Sequence, residues 1–208
     1  MTRSIVTACL LAAAAVAAPT IAQMPKEVPG KADPSRVTAG TYKADSAHTQ
    51  ILFSVNHLGF NVYHGIFGDA SGTLTLDPAN PSAAKVDIEI PMSGIATTSA
   101  KLTEHLKGAD FFDAAKFPTG KFQSTSVQAS GTDATITGNL TLKGVTKPVT
   151  LKTKFTGAGK GPMNQLETVA FEASTTIKRS DFGISYGIPF VPDEVPLQIT
   201  IAFEKPKA

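Results

Sequence analysis

From Tyr42 onward the chain alternates apolar and polar residues with a period of two, and this pattern leaves little room for anything but antiparallel sheet. Ile51, Phe53 and Val55 fall on one strand face, Leu74 and Leu76 on another, and Val86, Ile88 and Ile90 on a third, each run bounded by Gly, Pro, Asn or Asp. The pattern returns at Ile136, Leu140 and Leu142, at Val149, Leu151 and Phe155, at Val169, Phe171 and Ala173, and at Ile199, Ile201 and Phe203. That makes about eight strands. The alternate positions carry Thr, Ser, Lys and Glu, as in Lys152, Lys154 and Glu172, which is how a sheet with one wet face reads. Closure removes exposed edges, so the expectation is all-β: an eight-stranded antiparallel β-barrel, with a two-sheet sandwich as the alternative.

One segment departs from this period. Thr98 or Ser99 suits an N-cap, Leu102 and Leu106 share a face, and Gly108 stands just past the end, which predicts one short helix. It leads into an aromatic-rich crossover, Ala109 to Phe122, with Phe111, Phe112, Phe117 and Phe122 and punctuation at Pro118 and Gly120. So much aromatic surface outside a strand fits a plug at one barrel end that lines an apolar interior. Small residues at Ala70, Gly72, Gly138 and Ala173 would leave room inside, which matters because an eight-stranded barrel can otherwise fill itself.

The N-terminus reads as a secretory signal peptide over residues 1–22: Arg3, an apolar run from Ile5 to Ala18, then small residues at Thr20 and Ala22. The run is shorter than the roughly 20 residues a membrane span needs. Export follows, and the single cysteine, Cys9, leaves with the signal, so the core must hold the fold without disulfides. Residues 23–40 are broken by Pro25, Pro29, Gly30 and Pro34 and read as a flexible leader to a single domain over 41–208. Removing residues 1–22 takes one of 19 basic residues and none of the 17 acidic ones, leaving a formal charge of +1. No nucleic-acid partner is implied.

Chemistry-bearing side chains are sparse. His48, His57, His64 and His105 lack metal-ligand spacing; Asp45 with His48 reads as a hydrogen-bonded brace at the barrel entrance, whereas His57 ends the inward run Ile51, Phe53, Val55. Asp110 and Asp113 read as turn caps rather than paired catalytic carboxylates. Nucleophile turns, phosphate loops and dinucleotide fingerprints are absent, so no catalytic constellation, metal site or cofactor is expected. The expected wall residues are Phe53, Leu74, Phe111, Phe112, Phe122, Leu140 and Phe171, with His57, Tyr63 and Tyr186 near a ligand's polar head.

Several ordered motifs together carry a family resemblance. Tyr42-Lys-Ala-Asp45-Ser-Ala-His48, Phe53-Ser-Val55-Asn-His57, Gly65-Ile-Phe67-Gly68, Phe111-Phe112-Asp113, Phe117-Pro118-Thr119, Gly138-Asn-Leu-Thr-Leu-Lys-Gly144 and Arg179-Ser-Asp181-Phe182-Gly183 resemble the YceI-like family over about Tyr42 to Glu204. The resemblance implies a lipocalin-like eight-stranded barrel in the periplasm that holds a long apolar molecule, a polyisoprenoid or isoprenoid quinone. It leaves open a quinone-presenting redox partner of a membrane cytochrome, and a small hydrolase or isomerase acting on apolar substrates. The protein is expected as a monomer or homodimer.

Overall fold

The computed structural model describes residues 27–207, so the export signal expected at residues 1–22 lies outside the described residues. Eleven strands form one antiparallel sheet: β1 (Gly40–Ala44), β2 (Gln50–His57), β3 (Asn61–Phe67), β4 (Ser71–Leu76), β5 (Lys85–Pro91), β6 (Ile95–Ala96), β7 (Thr119–Ser130), β8 (Asp133–Leu142), β9 (Val145–Lys160), β10 (Glu167–Lys178) and β11 (Glu194–Glu204). They make eight rows, because β1 runs on into β2, β3 into β4 and β5 into β6 across short kinks. β1 pairs with β4 on one side and with β11 on the other, which closes the ring. The expected eight-stranded barrel is therefore the fold, and the sandwich alternative is excluded.

Each kink has a local cause. Asp45 caps the turn Ser46–His48 by accepting from the Ala47 amide (3.2 Å), and the Thr49 hydroxyl donates to the Asp45 carbonyl (2.7 Å). His48 Nδ1 lies 2.6 Å from Asp45 Oδ2. The pair expected at the barrel entrance thus braces the kink between β1 and β2 instead, with the His48 side chain 77% exposed on the outer wall. The other two kinks interlock: the Gly68 amide donates to the Gly94 carbonyl (3.0 Å), and a Cβ at Gly94 would stand 2.5 Å from Gly68 O. Only glycine allows that approach.

Helix α1 (Ala100–Lys107) is capped by Ser99, whose hydroxyl accepts from the Leu102 amide at 3.3 Å. Leu106 is buried and Leu102 packs beside it, laying the helix over one barrel end.

The stretch read as a flexible leader is docked from Pro29 on. Lys31 bridges Ala158 in both directions (3.1 and 2.8 Å), Arg36 donates to the carbonyls of Pro29 (2.8 Å) and Ala158 (2.9 Å), and Val37 joins the core. The reason lies in β9. Its pairing with β8 ends at Lys154, which leaves an open edge over its last residues. Gly157, Ala158 and Gly159 admit the leader backbone closely, and a Cβ at Gly159 would meet Pro29 O at 2.2 Å.

Candidate functional site: a two-chamber barrel interior

The inward residues of the eight rows enclose two adjoining cavities. The first, of about 300 Å³, is walled by aliphatic and aromatic side chains from every row and reaches the barrel end formed by Pro34, Pro78, Pro81 and the Gly131–Thr132 turn. The second, of about 620 Å³, lies under α1, the crossover and the β10–β11 connection. Ile51, Ile90, Leu140 and Leu197 border both, so the chambers meet at an aliphatic waist. Together they form an elongated apolar interior along the barrel.

Each residue expected from the sequence to line the wall or meet a ligand's polar head borders one of these chambers. Leu74, Phe122 and Phe171 line the first, Leu140 stands at the waist, and Phe53, His57, Tyr63, Phe111, Phe112 and Tyr186 line the second. Period-two parity placed the strand residues, and the crossover supplied Phe111 and Phe112. Phe112 meets Phe67 edge-on at 5.3 Å, and Phe67 in turn contacts Phe53 at 5.6 Å. Phe117 lines neither chamber; its ring sits against Gly144 of the β8–β9 turn, 5.2 Å from the Lys116 amine.

The source of the space differs from the expected one. Gly138 leaves no void, because the Phe122 ring occupies the place of its side chain: a Cβ there would lie 2.4 Å from Phe122 Cζ. Gly72 answers to a backbone constraint, with φ at 141° and Asp87 O 2.0 Å from a built Cβ. Ala70 is fully buried in the core. Of the four small residues, Ala173 is the one on the chamber wall.

Polarity is unevenly distributed along the interior. In the first chamber the polar wall side chains are Asp133 at the rim and four threonines, of which Thr153 has a buried hydroxyl without a hydrogen-bond partner. The mouth of the second chamber gathers His57, Asn61, Tyr63, Ser99, His105 and Tyr186. His57, Asn61, His105 and Tyr186 are solvent-exposed, which locates the opening between the β2–β3 hairpin, α1 and the β10–β11 connection. His105 Nε2 lies 3.0 Å from Asp110 Oδ2, and the ring stands edge-on to Phe111 (5.0 Å) and Tyr186 (5.2 Å). Asp110 thus orients a mouth histidine rather than capping a turn. The Tyr63 phenol pairs with Thr98 Oγ1 at 2.9 Å, and hydrogen bonds with Thr98 and then Thr97 hold it below its usual pKa.

Sequence reasoning missed the residue that shapes the lid. Arg179 is 6% exposed, and its guanidinium donates to four carbonyls of the following loop: Pro192 (2.9 Å), Ile184 (3.2 Å), Tyr186 (2.8 Å) and Val191 (2.8 Å). Burial lowers its pKa, partly offset by Asp193. Asp193 accepts from the Ser180 hydroxyl (2.7 Å) and amide (2.8 Å), and these bonds, before the nearby Arg179 charge, hold its carboxyl below the usual value. The loop is wound onto one side chain, which presents Phe182, Ile184, Tyr186 and Val191 to the second chamber. The Arg179-Ser-Asp-Phe-Gly motif marked the place, but a buried arginine cannot be told from a surface one by composition. Among the described residues no group of three His, Cys, Asp or Glu side chains could hold a metal ion.

The YceI-like domain family matches residues 42–203. The chain belongs to the YceI-like family. A UPF0312 protein of Pseudomonas paraeruginosa is 42% identical over 165 residues, spanning 78% of this chain and 86% of that one. Among solved structures, this YceI-like barrel superposes on Burkholderia cenocepacia BcnA with a TM-score of 0.67 at 25% identity, covering 76% of this chain and 98% of BcnA. A polyisoprenoid binding domain from Saccharophagus degradans, implicated in plant cell wall breakdown, shares the fold at a TM-score of 0.61 and 14% identity, covering 79% of this chain and 98% of that domain.

Proposed function

We propose that this protein is an exported carrier that holds one long-chain amphiphilic lipid, a polyisoprenoid or isoprenoid quinone, with its tail threaded through the waist into the first chamber. The observation that carries this reading is the polarity gradient: an apolar interior whose hydrogen-bonding side chains gather at one mouth. The signal-like residues 1–22 support export, and with it a periplasmic location. The Saccharophagus domain of the same fold is named for the same ligand class.

The mouth favours an uncharged head. No lysine lines either chamber, and the guanidinium of Arg179 is committed to loop carbonyls. A phosphate head would go unneutralised there, whereas quinone carbonyls or an alcohol can pair with His57, His105 and Tyr186. Burial of each methylene is worth about 0.8 kcal/mol, so a chain of a few tens of carbons nominally passes the roughly 18–21 kcal/mol ceiling of non-covalent affinity. Ordering losses offset part of this, leaving tight and slowly exchanging binding. The chain acts as a carrier rather than a catalyst.

Mass spectrometry of an organic extract from protein purified out of the exported fraction without detergent tests the proposal. A stoichiometric long-chain apolar species with a neutral head is expected. Protein that is empty, and stays empty when offered isoprenoid quinones and polyprenols, refutes it.

A further inference from the structure

Of seven large apolar side chains exposed on the described surface, five stand on the two segments that frame the mouth of the second chamber: Leu58, Phe60 and Val62 on the β2–β3 hairpin, and Tyr186 and Phe190 on the β10–β11 connection. Phe60 is 86% exposed and Phe190 75%. These segments also lack fixed charge: no Asp, Glu, Lys or Arg occurs between Asp45 and Asp69, or between Asp181 and Asp193. Their chain neighbours His57, Asn61 and Val191 line the chamber, so the apolar interior wall continues outward onto these tips.

The hairpin tip is built at a cost that the fold does not repay. Leu58 and Gly59 both sit at positive φ, 57° and 80°. That backbone suits Gly, Asn or Asp; a leucine there is strained, and this one is 47% exposed and gains little packing. The tip is nonetheless ordered, with the Gly59 amide on Asn56 Oδ1 (2.7 Å) and the Phe60 amide on the His57 carbonyl (3.0 Å). A strained residue held in place without return to stability points to a use outside the barrel.

We propose that the two tips form a membrane-docking surface on which Leu58, Phe60 and Phe190 enter the head-group layer of a lipid bilayer. The charged side chains at the mouth, Lys101, Glu104 and Lys107, stand on α1, whereas the two apolar tips carry none, so the tips insert into a yielding fluid surface at no cost of charge desolvation. Docking in this pose opens the chamber onto the bilayer, so the cargo, which rests on the carrier reading above, moves between barrel and membrane without crossing water. With no cation on the tips, their insertion needs no anionic lipid.

Flotation of the full exported chain with phosphatidylcholine vesicles, with and without phosphatidylglycerol and at low and high salt, tests the proposal, and cargo in each sample is read separately by mass spectrometry. The wild type is expected to float with both vesicle types at either salt. The double variant Phe60→Ser/Phe190→Ser is expected to bind at least about tenfold more weakly while keeping its cargo. Leu58→Asn suits the positive φ and is expected to hold or raise the melting temperature while weakening vesicle binding. Wild-type protein that stays out of the vesicle fraction overturns the proposal, as does a double variant that floats equally well or binding that needs anionic lipid and vanishes in high salt. Vesicle binding by protein that carries no lipid before mixing, and takes up none when offered isoprenoid quinones or polyprenols, refutes the carrier reading and leaves the docking surface standing.

Discussion

Asp193 and Gly138 show how much single side chains decide here. Asp193 has a carboxyl held below its ordinary value of 3.8 by Ser180 and Arg179. The unfolded chain therefore binds a proton at higher pH than the folded chain does, so this group's stabilisation is complete above the ordinary value and is lost as pH falls through the depressed one. Urea denaturation of wild type and Asp193→Asn should show a stability gap at neutral pH that narrows below about pH 4; a constant gap would assign the effect to shape rather than charge. At Gly138 the Phe122 ring fills the missing side chain, so a methyl there drives the ring into the first chamber. Gly138→Ala should cost about 1–3 kcal/mol and reduce bound cargo. Phe122→Ala/Gly138→Ala removes the ring clash but leaves the new Cβ 2.6 Å from the Gln123 carbonyl oxygen, so it should restore cargo in part, measured as lipid per protein in the extract.

At the level of elements, the strands were legible and their interruptions were not. Period-two runs placed Ile51, Phe53, Val55 and His57 on the inner wall, where they line the interior. The kinks at Asp45–Thr49, Gly68–Ala70 and Met92–Gly94 look in sequence like ordinary turns, because a turn and a kink use the same residues and differ in whether the chain reverses. The docked leader was illegible for another reason: its partner is the β9 edge left open beyond β8, a tertiary feature with no local pattern. Arg36 is the side chain that fastens it. Arg36→Ala should raise amide exchange at Lys31 and Ala158 and, since Pro34 and Val37 line the first chamber, speed cargo release; unchanged exchange at both amides would show that the backbone bridge suffices.

Taken whole, the barrel interior is a series: a polar mouth, a chamber of about 620 Å³, an aliphatic waist, and a smaller chamber of about 300 Å³ with little polarity. A tail long enough to pass the waist gains the burial of both chambers, and a short one gains only the first it meets, so the waist converts chain length into affinity. The sequence showed the apolar wall but not this division, since parity says which way a side chain points and not how far opposite walls stand apart. Leu197 borders both chambers and pairs across the sheet with Phe53, so a larger side chain there narrows the passage without touching the mouth. Leu197→Trp should cost about 1–3 kcal/mol through overpacking. It should also shift the extracted cargo toward shorter chains and lower affinity for long isoprenoids more than for short ones, as read by competition between the two in mass spectrometry. An unaltered chain-length distribution would mean that cargo rests in the second chamber alone, and that the first is core left imperfectly filled.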